Sequence, residues 1–285
     1  MKCKDIQNVY GEKFTITELS HYAFNVGVRQ WREPFDRDHF IIKTVNRPFD
    51  KHLFYFPHTP MVVSEIHSRF KFSRNGDIRV LDMPIKFPGS SEYRIPRELH
   101  QFDEVIARCV SFEHNINPHV GEQYYAYLTI DQGDVPANTH QRKPGCHVDG
   151  FQGARIKNKR PVNRSYIAYD CIPPVFYAQK FKTDHLNEET DNFFLSFDEQ
   201  ADDVCAITYD PYQIILTNAY TVHRADTADI PMHRTFFRLS YDTIKFDRFG
   251  NTHNQLFQYD WAMLTRGTPI TLKHKPLPKH NPDAF

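Results

Sequence analysis

Short apolar runs at regular spacing after Pro118 constrain the fold of this chain more than any other feature. The runs are rich in Tyr, Phe, Ile and Val, and residues typical of turns separate them. Many short strands of this kind predict a sandwich or barrel, such as a jelly roll. Eight strands are predicted, at 124–130, 146–151, 165–172, 175–181, 193–197, 213–218, 220–225 and 234–242.

The first hundred residues are less regular but end in one clear helix. From Pro96, apolar residues recur every three or four positions, which predicts an amphipathic helix over about 97–116. We therefore predict one compact domain with three regions: an α/β region at 1–118 that supports the barrel, a β core at 119–250 and a C-terminal extension at 251–285. The apolar positions of the helix are Leu99, Phe102, Val105, Ile106, Cys109, Phe112 and Ile116.

Composition excludes several classes of protein. The chain has 35 basic and 35 acidic residues, so no basic surplus points to nucleic acid as a partner. No apolar run reaches the ~18 residues of a membrane span, and the N-terminus lacks the apolar segment of a secretory signal. The five cysteines are widely spaced without a CxxC pair, which indicates free thiols in a reducing compartment. We expect a cytoplasmic protein with a small-molecule substrate and no membrane partner; the oligomeric state stays open.

The candidate chemistry centres on His147 and Asp149, which form the only His-x-Asp triplet of the chain. Residues two apart on a strand point to the same face, so both side chains can reach one metal ion. His223 lies in a later predicted strand and is the best candidate for a third ligand. Two imidazoles and one carboxylate form a facial triad, which leaves room for dioxygen and a chelating co-substrate and suits non-haem Fe(II).

Other ligands and another metal fit this pattern less well. Cys146 alternates to the opposite face of its predicted strand, and His140 and His233 are only rival ligands by their proximity in sequence. Catalytic zinc also takes two histidines and a carboxylate. No HExxH sequence accompanies these residues, however, so a zinc hydrolase is disfavoured.

Two arginines and a serine follow His223 on one predicted strand with the same parity, at Arg234, Arg238 and Ser240. A buried arginine beside a metal needs an anionic partner. A planar guanidinium binds a carboxylate in a bidentate manner. Either arginine therefore meets the requirement for anchoring the distal carboxylate of 2-oxoglutarate.

The predicted strands, the His147-x-Asp149 pair, His223 and the later arginines together resemble the Fe(II)/2-oxoglutarate-dependent dioxygenases. The similarity covers roughly 124–242, and arginines 11 and 15 residues after the distal histidine are most similar to the taurine dioxygenase-like and phytanoyl-CoA hydroxylase-like branches. The resemblance implies a mainly β fold with flanking helices, namely the double-stranded β-helix (a cupin-like jelly roll). It also implies Fe(II) as the metal, 2-oxoglutarate as co-substrate and dioxygen as oxidant.

The same resemblance implies roles for individual residues. Arg234 would bind 2-oxoglutarate. Arg238 would either support the residues that contact the metal and co-substrate, or face the substrate. The R-x-S pattern of a different branch would instead select Arg238 with Ser240. A polar side chain of the first predicted strand, Tyr127 or Thr129, would bond the co-substrate.

The predicted activity is hydroxylation of a small or medium-sized organic substrate with release of succinate and carbon dioxide. A basic loop follows Asp149 and favours an anionic substrate. The alternatives are an oxygenase that acts on a protein side chain or nucleobase, and a non-redox cupin-like metal- or ligand-binding protein. The basic residues of the loop are Arg155, Lys157, Lys159, Arg160 and Arg164, and further substrate-facing candidates are Phe151 and Arg224.

Overall fold

The structure is a computed structural model, and most of its regular structure is β-sheet. It describes residues 35–65, 72, 76–142, 144–150 and 161–264, with the backbone alone for three short strands before residue 35. The strands are β1 Asp5–Gln7, β2 Lys13–Thr15, β3 Ala23–Phe24, β4 Met61–Glu65, β5 Ile78–Lys86, β6 Tyr93–Arg94, β7 Tyr125–Val135, β8 Arg164–Tyr169, β9 Val175–Tyr177, β10 Ala206–Ile207, β11 Gln213–Asn218, β12 His223–Arg224 and β13 Met232–Asp242.

The helices of the described residues are few and short. None of them is long and apolar enough to cross a membrane. The α-helices are α1 Phe40–Lys43, α2 Asp103–Ile116, α3 Val120–Gln123 and α4 Phe193–Gln200, and the 3-10 helices are Lys51–Tyr55, Arg97–Phe102 and Asp203–Cys205.

An antiparallel sheet of six strands, in the order β4-β11-β8-β13-β7-β5, forms the centre of the molecule. Strand β13 lies in its middle and pairs with β7 from Met232↔Val135 to Asp242↔Tyr125. A smaller sheet has the order β10-β9-β12. An isolated bridge between His147 and His223 extends it by one position. Two further pairs, β1-β2 and β3-β6, complete the strand pairing.

Helix α2 and the 3-10 helix before it cover the outer face of the six-stranded sheet. The apolar stripe of the helix, including Val105, Ile106 and Cys109, joins one buried cluster with sheet residues such as Leu128 and Phe237. These sheet residues alternate with the inward-facing ones, as a strand period of two requires. The helix therefore buries one face of the sheet and leaves the other face for the second sheet.

The small sheet lies against the inner face of the six-stranded sheet. Phe176 of β9 belongs to one buried cluster with inward-facing residues of the larger sheet. The candidate ligands and arginines point into the space between the two sheets. The residues of the larger sheet in this cluster are Ile167, Tyr169, Ile215 and Phe236.

Four of the predicted strands differ clearly from the structure. Strand β9 covers only three residues of the predicted 175–181. The segment 193–197 is the start of helix α4, because the Asn192 side chain accepts the N–H groups of Phe194 and Leu195 and caps a helix there. Of the predicted strand 146–151, residues 146–150 are described and form no regular strand, since only His147 is bridged and a turn follows. Strand β12 is limited to two residues of the predicted 220–225.

Some predictions are not tested by these elements. The closure of the two sheets into a double-stranded β-helix and the division into three regions stay predictions. Phe151, Arg155, Lys157, Lys159 and Arg160 lie outside the described residues. Arg164, the last residue of the predicted basic loop, does not belong to a loop. It begins β8, where it is fully buried and paired with Glu113.

Candidate metal centre

The structure brings His147, Asp149 and His223 together between the two sheets. One ligand atom from each lies within 4.8 Å of the others, and no second group of this kind is found in the described part of the chain. Backbone hydrogen bonds of 2.9 Å run both ways between His147 and His223. The chain segments that carry the two imidazoles are therefore joined directly at the site.

Both imidazoles are held in the orientation that a metal ligand needs. The Nδ1 atom of His147 lies 3.0 Å from the carbonyl oxygen of Gly145, and Nδ1 of His223 lies 2.9 Å from that of Thr221. Donation from Nδ1–H leaves the lone pair of each Nε2 for an ion. Burial and the neighbouring His223 lower the pKa of His147 to about 4, so this imidazole is neutral at physiological pH.

Asp149 supplies the negative charge of the group. Arg238 Nη1 donates to Asp149 Oδ1, whereas Asp149 Oδ2 is buried without a hydrogen-bond partner and lies 3.9 Å from Nε2 of His223. Burial acts to raise the pKa of this carboxyl, but Arg238 and the two imidazoles outweigh it and hold the pKa below its usual value. An ionised, unpartnered oxygen beside two imidazole lone pairs fits a divalent cation.

The turn after Asp149 depends on glycine. Gly150 has φ +88°, and a Cβ at this position would lie 2.1 Å from the side-chain amide of Asn163. Both the backbone conformation and the close approach therefore exclude a larger residue. The amide of Asn163 thus packs directly behind the turn that presents Asp149.

Arg238 is paired with two carboxylates through its two terminal nitrogens. Its Nη1 bonds Asp149, and its Nη2 donates to Asp82 Oδ1 at 2.7 Å. Thr129 Oγ1 in turn bonds the backbone and carboxylate of Asp82 at 3.0 and 3.1 Å. Burial opposes the charge of Arg238, but the two carboxylates raise its pKa. Arg238 thus pairs with both Asp149 and Asp82, and Thr129 supports Asp82 from behind.

Arg234 has a different environment on the same face of β13. It is 4% exposed. Its guanidinium donates to the carbonyl oxygens of Cys171 and Ile172 at 2.9 and 2.8 Å, and to Oε1 of Gln141 at 2.5 Å. No carboxylate of the described residues lies within 4.0 Å of it. Burial lowers its pKa to about 10, so it is a buried cation that has only neutral acceptors.

Three other residues that were candidates for the site make their contacts away from the three metal ligands. Tyr127 donates to the Ile244 carbonyl at 2.9 Å and its ring stacks on Phe246. The hydroxyl of Ser240 bonds that of Ser165 at 2.8 Å. Arg224 lies over the Tyr177 ring and donates to Asp203, because β12 alternates and turns it away from the face of His223.

The rival ligands also lie elsewhere. His140 bonds Thr227 at 3.0 Å, and His233 bonds Asp134 at 3.0 Å on the side opposite to Arg234. Cys146 is buried in the cluster on the far side of the small sheet. The ligand set is therefore limited, among the described residues, to the predicted triad.

Helix α4 is a part of the site that the sequence did not indicate. The Phe194 ring lies 6.0 Å from that of His147, and Phe176 lies 5.4 Å from His223, so aromatic rings flank both imidazoles. Asp198 Oδ1 accepts the N–H of Cys146 at 2.6 Å, next to the metal-ligand segment. The Asn192 cap was the available signal for this helix.

No family model matches the chain, and no curated protein is significantly similar to it in sequence. Among solved structures, EvdO2 from Micromonospora carbonacea var. aurantiaca, complexed with 2-oxoglutarate, has a TM-score of 0.36 and 13% identity over 65% of this chain and 94% of EvdO2. HygX from Streptomyces hygroscopicus, with nickel and 2-oxoglutarate bound, has a TM-score of 0.35 and 10% identity over 75% and 89%. EctD from S. alaskensis, in its apoform, has a TM-score of 0.29 and 14% identity over 77% and 94%. TM-scores of this size do not establish a shared fold.

Proposed function

We propose that the protein is an Fe(II)- and 2-oxoglutarate-dependent oxygenase that hydroxylates a small or medium-sized organic substrate. The observation that carries the proposal is a pair of complementary sites between the two sheets. One is the triad of His147, Asp149 and His223 with its unpartnered oxygen, and the other is the buried cation Arg234.

The donor set is suited to Fe(II). Two neutral imidazole nitrogens and one carboxylate oxygen occupy one side of an ion and leave its other positions for exchangeable ligands. Bound iron would supply the activation of dioxygen, coupled to oxidation of 2-oxoglutarate to succinate and carbon dioxide. His147, His223 and Asp149 would hold the metal, and Arg238 would orient Asp149 through its other oxygen.

Arg234 is the proposed anchor of the co-substrate. A guanidinium has five N–H groups, and the three neutral acceptors around Arg234 use one each on Nε, Nη1 and Nη2. One N–H therefore stays on each of Nη1 and Nη2, which is the arrangement that receives a carboxylate in a bidentate manner. A distal carboxylate of 2-oxoglutarate would give this buried cation its counter-charge.

The surroundings would keep water from the reacting groups. Phe176, Tyr169, Ile215 and Phe236 are buried in the cluster between the sheets. An apolar enclosure strengthens the electrostatic contacts of the bound dicarboxylate and limits access to solvent. The jelly-roll closure, the taurine dioxygenase-like or phytanoyl-CoA hydroxylase-like branch and an anionic substrate belong to the same proposal. They rest on the predicted strands, the spacing of Arg234 and Arg238 from His223, and the basic loop.

An anaerobic titration of the metal-free protein tests the proposal. Fe(II) is added first and 2-oxoglutarate second, while the visible charge-transfer band of the chelate is recorded. We expect the band in the native protein, no band in His147→Ala, and a strongly raised dissociation constant for 2-oxoglutarate in Arg234→Ala. His140→Ala and Arg94→Ala are the matched controls, because His140 and Arg94 are bound to other parts of the chain.

The outcomes separate the oxygenase from its alternatives. Folded native protein that binds Fe(II) but gives no band with 2-oxoglutarate would indicate a non-redox metal protein. Unchanged metal binding in His147→Ala would refute the triad. If the band forms, release of succinate under air then serves to screen substrates.

A further inference from the structure

The side chain of Gln141 is built into the environment of Arg234. Its Oε1 accepts from Arg234 Nη1 at 2.5 Å. Its Nε2 donates to the carbonyl oxygen of Arg234 at 3.1 Å and to that of Asp131, on the neighbouring strand β7, at 3.0 Å. One amide thus holds both the backbone and the guanidinium of the same arginine, and fixes its own orientation by doing so.

The opposite edge of the guanidinium is held by the backbone after β8. Arg234 Nε donates to the carbonyl oxygens of Cys171 and Ile172, and Nη2 donates to that of Ile172. Ile172 has φ +48°, a left-handed conformation that β-branched residues rarely adopt. Such a conformation persists where surrounding contacts determine it, and it is concentrated at functional sites. Arg234 is therefore fixed from two sides.

We propose that Gln141 is a positioning residue for the co-substrate: it sets which two N–H groups of Arg234 face the distal carboxylate. This inference rests on the proposed function. Without the acceptor at Oε1, the planar guanidinium of Arg234 is held from one edge only, and the bidentate arrangement has to be selected again when the ligand binds. The hydrogen bonds of Gln141 reach none of the three metal ligands, so its effect is confined to the co-substrate.

The proposed role requires an amide side chain at position 141 rather than a carboxylate. A glutamate at position 141 would face the carbonyl oxygens of Asp131 and Arg234 with oxygen atoms of like charge. It would also give Arg234 an internal carboxylate, which would compete with the carboxylate of 2-oxoglutarate. The identity of this residue therefore keeps the guanidinium both oriented and available.

The test compares 2-oxoglutarate binding in Gln141→Leu, Gln141→Glu and native protein, by the anaerobic Fe(II) chelate band. Loss of a hydrogen bond to a charged group predicts a dissociation constant for 2-oxoglutarate about 10-fold to 100-fold higher in Gln141→Leu. The effect in Gln141→Glu is expected to be at least as large. Fe(II) affinity in the absence of 2-oxoglutarate is expected to be unchanged in both. Gln179→Leu is the matched control, because Gln179 also bridges backbone groups, at Gln200 and Asp202, away from Arg234.

The outcomes distinguish this inference from the proposed function. Native protein without a chelate band contradicts the proposed function. A native band together with unchanged 2-oxoglutarate affinity in Gln141→Leu overturns only the role of Gln141. Equal weakening of Fe(II) and 2-oxoglutarate binding would mean a general structural role and would also overturn it. Gln141→Asn, which retains the amide on a shorter side chain, replaces Gln141→Leu if the latter does not fold.

Discussion

At the scale of single residues, Arg238 and Arg234 show how two similar side chains on one strand acquire different tasks. Both point to the inner face of β13; Arg234 is buried, and the side chain of Arg238 is 11% exposed. Arg238 lies between the carboxylates of Asp149 and Asp82, whereas Arg234 has carbonyl and amide oxygens around it. The difference lies in the partners, and none of those partners is adjacent in sequence.

Arg238→Met is predicted to weaken metal binding. Asp149 would lose the cation that holds its Oδ1 and keeps its pKa low, so ionising it for the metal becomes more costly. Removal of such an outer partner of a ligand typically costs about 10-fold to 100-fold in metal affinity. Anaerobic calorimetry with Fe(II) alone at pH 7 measures the effect. Arg234→Met, which leaves Asp149 paired, is the control and is expected to bind Fe(II) normally.

Because Arg238→Met also leaves the buried Asp82 without its cation, the double variant with Asp82→Asn is needed. The double variant removes the unpaired charge at position 82, and Asp149 still lacks its cation. Native-like Fe(II) affinity in the folded double variant would contradict the positioning role of Arg238.

The sequence was informative about the ligands but not about their supports. The alternation of side chains along a strand predicts His147 and Asp149 on the same face, and in the structure both lie beside His223. The function of Arg238 depends on Asp82, which has φ +43° at an irregular part of β5 in a region without any recognisable motif. Contacts of this kind arise from tertiary packing, so spacing and composition do not reveal them.

At the scale of elements, α2 is attached to the sheet by an internal ion pair as well as by apolar packing. Arg164 Nη2 lies 2.5 Å from Glu113 Oε1, and both side chains are fully buried. Tyr166 and Asn117 donate to the same carboxylate at 2.9 Å each. The helix position is therefore specified by a satisfied polar network.

Glu113→Gln is predicted to lower the free energy of unfolding by about 3–5 kcal/mol, since it strands the buried guanidinium of Arg164. Urea denaturation at pH 7 measures the loss. The half-exposed pair of Glu92 and Arg94 offers the control, and Glu92→Gln is expected to change stability by about 1 kcal/mol or less. A loss in Glu113→Gln no larger than in the control would show that the internal pair does not specify the packing.

The sequence predicts helices and strands correctly where the spacing of the apolar residues and the length of the segment both fit one type of element. The stripe from Leu99 to Ile116 falls on the 3-10 helix and α2, and 213–218 coincides with β11. The prediction of a strand at 193–197 is wrong, because a short apolar run fits a strand and a helix equally well. The side-chain cap at Asn192 decides for the helix, and this places Phe194 beside His147.

At the scale of the whole molecule, the burial of His58 predicts that the free energy of unfolding decreases as the pH falls. It is 3% exposed, and its ring stacks on Phe40 at 3.9 Å. Burial lowers its pKa from 6.5 to about 4. The unfolded chain therefore takes up a proton near pH 6.5, the folded chain only near pH 4, and stability decreases as pH falls between these values.

The measurement is urea unfolding of metal-free protein at pH 7 and at pH 4.5. Replacement by His58→Gln is expected to reduce the acid-induced loss of stability by up to about 3 kcal/mol. His52→Gln serves as control because His52 is largely exposed. An identical pH dependence in native protein and His58→Gln would exclude this group as a source of acid sensitivity.

The central place of β13 has a consequence for the timing of synthesis. In the six-stranded sheet β13 lies between β7 and β8, which are not neighbours without it. It is the last of the described strands in chain order, so β7 and β8 keep open edges towards each other until β13 has been synthesised. Unpaired edges on a nascent chain invite association with other chains. Arg234 and Arg238 both lie on β13, so the candidate site is complete only after this late insertion, and the chain made before it has the greater need of chaperone protection.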